Sequence, residues 1–202
     1  MRSGMIAGMW SEMSFEDADD EFGLQRFEHF DAEFDTVFVH RGELRAEGDL
    51  TAGDLLRGRG LDPGNGGTGE LVLHVVAGDL VVGGALLLDE EAPECLGLLV
   101  TGNLRAAVVS VDATLLYVHG DAAVSRLIDF TTTDGTLQIF GATGCPLLLH
   151  ADGDLWADSD GVVHSCRSGE PAPVVAEVMT ATGVDSRLAV EFARLGRPVL
   201  AG

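Results

Sequence analysis

The chain has 202 residues, 46% of them hydrophobic, enough apolar side chain to close one continuous core. Its 33 acidic residues face 12 basic ones, every one an arginine, for a formal net charge of −21. A charge of that sign argues against nucleic-acid binding through phosphate neutralisation, and it admits two accounts: recognition of a basic partner, or adaptation for solubility and salt.

The stretch Met1 to Trp10 lacks the apolar core of a signal peptide, and Met5, Met9 and Met13 are alternative starts. Residues 1–13 are predicted to form a disordered leader. No apolar run is long enough to cross a bilayer, so no membrane partner is assigned. Cys95, Cys145 and Cys166 are an odd set, which implies a reducing cytoplasm rather than a disulfide framework.

Residues 14–43 form an acidic, aromatic-rich segment. Ser14 with Asp17 makes an N-cap pair, and acids in the first turn suit the helix dipole. Phe27, Phe30 and Phe34 stand at helical spacing. The segment is predicted to cap the first coil with its phenylalanines; the other reading is an acidic-aromatic recognition tail.

Residues 44–168 carry a repeated phrase: apolar, any, apolar, any, Gly. It reads Leu44-Arg45-Ala46-Glu47-Gly48, Leu98-Leu99-Val100-Thr101-Gly102, Leu116-Tyr117-Val118-His119-Gly120, Leu137-Gln138-Ile139-Phe140-Gly141 and Leu149-His150-Ala151-Asp152-Gly153, with a weaker copy ending at Gly78. An Asp or Asn and a second alternating stretch follow most copies, as in Asp79-Leu80-Val81-Val82 and Asn103-Leu104-Arg105-Ala106. Alternation places the apolar set on one face of a strand, and Gly-Asp makes a corner. The glycine is read as supplying a backbone shape that a Cβ forbids. Leu98, Val100, Leu104, Leu116, Val118, Val124, Leu137 and Ile139 are therefore predicted to share one parallel-strand core. His74 takes an inward position where other copies carry Leu, and is read as a buried neutral histidine. The corner residues Asp49, Asp79, Asn103 and Asp121 are predicted to stack, held by backbone hydrogen bonds or by a cation. Gly58 to Gly69 reads as an inserted loop, and the short step from Gly141 to Gly153 as a loss of regularity.

Residues 169–202 are predicted to be a helical cap on the last coil. Val184, Leu188, Phe192 and Leu195 make its apolar stripe, Arg187 and Arg194 lie in its later turns, and Gly196 with Pro198 ends it. Two capped ends imply a finite, monomeric rod.

No catalytic, cofactor or metal residue is assigned. Gly64 to Gly69 matches G-x-G-x-x-G, but Pro63 precedes it and strand-like residues follow, so it reads as a loop. Asp152, Asp154, Asp158 and Asp160 lack the ordered spacing and closing Glu of a calcium loop. Cys145, His150, His164 and Cys166 are zinc-ligand types at a spacing that fits no recognised finger. No nucleophile–base arrangement stands out from the corner aspartates.

At the Leu-x-Val-x-Gly-Asp-Leu units, over about residues 44–157, the chain resembles bactofilin-type polymer-forming cytoskeletal proteins. The resemblance implies a β-solenoid that assembles end to end without a nucleotide. The run Asp49 to Leu56 is similar to pentapeptide-repeat solenoids, some of which mimic DNA. The expected fold is mainly β, an irregular single-stranded parallel β-solenoid with short helical segments at the N- and C-terminal ends. The expected function is a non-catalytic, cytoplasmic protein-binding surface, in one form an inhibitor or immunity protein for a basic partner. A self-assembling bactofilin-like scaffold is the alternative.

Overall fold

A computed structural model describes residues 10–27, 34–57, 71–88, 96–132, 135–151, 154–166, 173–180 and 183–201. The protein is mainly β, and its strands are mostly parallel. In chain order the elements are β1 (Ser11–Met13), α1 (Phe15–Phe22), β2 (Phe34–Arg41), β3 (Leu44–Ala46), β4 (Leu50–Thr51), α2 (Ala52–Arg57), β5 (Leu71–Ala77), β6 (Leu80–Val82), β7 (Ala85–Leu88), β8 (Leu96–Val100) and β9 (Leu104–Val111). They continue as β10 (Leu115–Val118), β11 (Ala122–Phe130), β12 (Thr136–Ile139), β13 (Thr143–Gly144), β14 (Leu147–His150), β15 (Asp154–Trp156), β16 (Val162–Ser165), β17 (Met179–Thr180), β18 (Gly183–Val184) and α3 (Ser186–Arg194).

A seven-stranded sheet runs β1-β2-β5-β8-β10-β12-β15. A nine-stranded sheet runs β16-β14-β11-β9-β6-β3, with β4, β7 and β13 beside it. Each pass of the chain crosses from the first sheet to the second and returns one strand further along. Every pairing in these two sheets is parallel except β1 on β2.

The inward row of the first sheet registers Phe38, His74, Leu98, Leu116, Leu137 and Leu155 across successive strands. It meets inward residues of the second sheet in one core. All eight residues predicted to be buried together lie in it, none more than 7% exposed. α2 adds Leu55 and Leu56 to the same core.

Three of the corner glycines have a different reason from the one predicted. Gly102, Gly120 and Gly141 do not have positive φ. They are glycine because the corners stack. A Cβ on Gly141 would lie 2.5 Å from both Asp121 Oδ1 and Gly120 O. The corner side chains hold the next pass: the Asn103 N–H donates to Asp79 Oδ1 at 2.8 Å, the Asp121 N–H to Asn103 Oδ1 at 2.9 Å and the Ala142 N–H to Asp121 Oδ1 at 2.9 Å. Backbone hydrogen bonds thus hold the ladder.

Two repeats are out of phase. Leu44 to Gly48 lies in the second sheet, where β3 pairs with β6, and Gly42 is the glycine beneath Gly78. Asp49 consequently accepts from the Ala85 N–H and leaves the Asp79 ladder. Leu149 and His150 likewise belong to β14 in the second sheet, and Asp154 to Trp156 register with Thr136 to Gln138 in the first. The parallel pairing continues through β16, beyond the point where regularity was expected to end.

The outer faces are more apolar than a solvent-facing surface. On the first sheet Val37, Val39, Leu73, Val75, Leu99 and Tyr117 are buried beneath Ala18, Leu24 and Phe27. The Ser14 cap forms as predicted, its Oγ accepting the Asp17 N–H. The helix stops at Gly23 in the left-handed conformation, so Phe27 and Phe34 do not share it: Phe27 packs on Tyr117 and Phe34 opens β2. Phe30 lies outside the described residues. The expected leader also divides, since Ser11–Met13 forms β1 while residues 1–9 lie outside the description.

The C-terminal helix exists, but it covers a flank rather than the last pass. Ala189, Phe192 and Ala193 of α3 pack with Ala85, Leu87, Val108, Leu127, Leu147 and Leu149 on the outer face of the second sheet. Leu195, expected in the buried stripe, is 61% exposed. The physical reason is area: this apolar face spans several strands and exceeds what one exposed edge offers the helix. Of the run Asp49 to Leu56, similar to pentapeptide-repeat solenoids, Ala52 to Leu56 fall in α2 instead.

Candidate functional site

Two features of the fold offer chemistry to solvent. The first lies where the cover on the first sheet runs out. Its outer row registers Val75, Leu99, Tyr117, Gln138 and Trp156. Tyr117 is sealed beneath Phe27, with ring centroids 4.9 Å apart. Two strands on, Trp156 is 65% exposed, and Phe140, on the neighbouring strand's continuation, is 60% exposed. Phe140 is buttressed by Phe27 at 5.7 Å and His119 at 5.8 Å, so the pair extends a ring cluster already fixed in place. Burial, and then the charge of Arg26, push the His119 pKa down. Asp154 shares the face of Trp156 by alternation and is exposed, as is Asp158 just beyond. Aromatic side chains with a carboxylate rim are the composition of a recognition surface.

The second feature is a cleft of about 830 Å³ between α3 and the outer face of the second sheet. α3 is tied to the sheet at its C-terminal end. Asp185 caps its N-terminus, accepting the Leu188 N–H at 3.0 Å. Arg126 donates to the Ala193 carbonyl at 2.7 Å, and Arg194 pairs with Asp49 at 2.5 Å. Burial alone would raise the Asp49 carboxyl, but the Ala85 N–H and the Arg194 guanidinium hold it below its ordinary value.

The cleft floor is the row Thr51, Leu87, Ser110 and Asp129. Asp129 is 6% exposed. Its Oδ2 accepts from Ser110 Oγ at 3.5 Å, a long contact, and its Oδ1 has no hydrogen-bond partner. Burial, reinforced by Asp112, pushes its pKa up to about 6, against the hydroxyls of Thr131 and Ser110. Asp49, Asp112 and Asp129 line this space from the sheet side, and Arg187, Glu191 and Arg194 line it from α3. Sequence reasoning missed Asp129. Its signal was a single acid within the apolar stretch Leu127-Ile128-Asp129-Phe130.

The residues weighed from the sequence do not converge. His74 is fully buried, edge-on to Trp10 with centroids 5.1 Å apart and stacked on Phe38. Cys145 is buried in the inter-sheet core, its thiol donating to Leu147 O, and burial raises its pKa to about 11. His164 registers with Leu149 and His150 with Ser165 on adjacent positions, so their imidazoles leave opposite faces. Cys166 packs against the outer cluster instead. Asp160 accepts the Cys145 N–H, and Asp152 lies outside the described residues, as does the Gly58–Gly69 loop. Among the described residues no group of three or more His, Cys, Asp or Glu could hold a metal ion, and no helix is long and apolar enough to cross a membrane. No protein-family model matches the chain, and comparisons with curated proteins and with solved structures returned no match.

Proposed function

We propose that the chain is a non-catalytic β-solenoid, working in a reducing cytoplasm, that docks a basic protein partner on its exposed aromatic surface. Each of β2, β5, β8, β10, β12 and β15 opens one turn of the solenoid, and the parallel register from strand to strand supports that reading. The observation that carries the function is the pair Phe140 and Trp156, solvent-exposed on an otherwise covered face and rimmed by Asp154 and Asp158. Aromatic anchors concentrate binding energy, and the net charge of −21 favours a cationic rim on the partner.

The scaffold reading keeps one observation in its favour. Val163 registers with the buried Leu148, yet it is 49% exposed, and among the described residues nothing pairs beyond β15 and β16. A photo-crosslinker separates the two. With p-benzoylphenylalanine replacing Phe140 in the native cell, ultraviolet light should yield a covalent adduct with one dominant basic protein. An adduct with a second copy of the chain transfers the assignment to the scaffold. Absence of any specific adduct removes the docking surface.

A further inference from the structure

We infer that the cleft beneath α3 is a binding site for an organic cation, an ammonium or guanidinium group that donates to Asp129. The site is separate from the aromatic surface, and either can fail without the other.

A buried carboxylate oxygen without a donor is costly, because it has left water and gained nothing in exchange. Asp129 Oδ1 is in that condition, at the floor of a space of about 830 Å³. That volume falls in the range of small-ligand sites, roughly 300–1,000 Å³. Four carboxylates against two guanidinium groups leave the lining negative. One of the two cations, Arg194, is committed to Asp49. A donor carrying positive charge supplies what Oδ1 lacks, and charge-assisted bonds are the stronger kind. The walls suit an alkyl stem: Leu87 from the sheet and Val190 from the helix both line the space.

The groups facing Asp129 decide how binding varies with pH. Ser110 and Asp112 approach from β9 and its end, Thr131 from the end of its own strand, and Cys166 from beyond β16. Arg187, Glu191 and Arg194 overlook it from α3. A bound cation favours the ionised carboxylate, so affinity should fall as pH drops below about 6, where Asp129 takes up its proton.

The test is calorimetric titration of the full chain with agmatine and, separately, with N-acetyl-arginine amide, at matched ionic strength. At least one probe should saturate at one equivalent. The tighter of the two tells a free diamine-type ligand from a peptide side chain. Asp129→Asn should weaken binding tenfold or more, whereas Asp20→Asn, on the exposed side of α1, should leave it unchanged. Val190→Trp, which fills the cleft from the helix side, should also abolish saturation and guards against a folding defect in the first variant. The inference is overturned if neither probe saturates, if Asp20→Asn weakens binding as much as Asp129→Asn, or if inorganic phosphate saturates the site instead.

Discussion

Replacing Gly120 with alanine separates two reasons for a glycine at a corner. The glycines with positive φ among the described residues are Gly23, Gly42, Gly78, Gly183 and Gly196, so Gly120 needs no special backbone freedom. On a purely conformational account alanine is welcome there, adding about 0.4–1 kcal/mol by restricting the unfolded chain. The stacked corner demands the opposite. A Cβ at Gly120 falls 2.5 Å from Asn103 Oδ1 and 2.6 Å from Gly102 O. Ordinary contact begins about 1 Å further out. Neither oxygen is at liberty to move: Asn103 Oδ1 holds the Asp121 N–H at 2.9 Å, and Gly102 O holds the Gly120 N–H at 2.9 Å. Opening the corner loosens both bonds, at about 0.5–1.5 kcal/mol each. Overpacking strain adds about 1–3 kcal/mol. The expected destabilisation is therefore about 2–6 kcal/mol, read from urea unfolding followed by far-UV circular dichroism. Gly42→Ala is the comparison, since Gly42 has φ 93 and nothing within 4 Å of its Cβ position. There alanine meets backbone strain alone, about 1–2 kcal/mol. A Gly120→Ala protein as stable as the parent, or less affected than Gly42→Ala, refutes the stacking.

Leu116→Ala should cost about 2–5 kcal/mol in the same assay, because Leu116 is fully buried between Leu98 and Leu137; a cost below 1 kcal/mol would mean the core is not continuous there. Asp129 has a folded pKa raised from 3.8 to about 6, so the native state holds this proton more tightly than the unfolded chain. Its contribution to stability is fully present below pH 3.8 and is lost as pH rises through 6, about 3 kcal/mol in all. Thermal melts from pH 4 to 8 should show Asp129→Asn flattening that slope and exceeding the parent at pH 8; parallel slopes would exclude a raised pKa. Truncation after Ser168 should bare Leu87, Val108, Leu127 and Leu149 and raise the mass seen by light scattering, and a stable monomer would show that α3 is not needed as cover.

The inward rows were legible because Leu, Val and Ile recur at alternate positions before Gly, and alternation alone assigns a face. The phase of each repeat was not. Leu44–Ala46 and Leu149–His150 belong to copies of the same pattern yet lie in the second sheet, and for the first of them the stacking of Gly42 beneath Gly78 fixes the register. That contact is between passes and leaves no local mark. Val75, Leu99 and Tyr117 stand at the alternate positions of the same strands, and α1 with Phe27 covers that face. By alternation Asp129 lies on the face opposite Ile128 and Phe130. Its burial depends on α3, which arrives from the far end of the chain, so no reading of the strand by itself could assign it to a cleft floor.

The two edges of the fold bear on the choice between partner and scaffold. At the first edge β1 pairs antiparallel on β2, and Trp10 and α2 pack against the core. α3, expected to close the other edge, is committed to the flank. The antiparallel β1 breaks the parallel register that head-to-tail growth would continue, so association through β15 and β16 favours a two-fold pair over a filament. Such a pair would bring Asp154, Asp158 and Asp160 of two copies together, and like charges at close range repel. The same carboxylates attract a cationic surface. Strand direction at the first edge and charge therefore both support the proposed basic partner over a second copy of the chain.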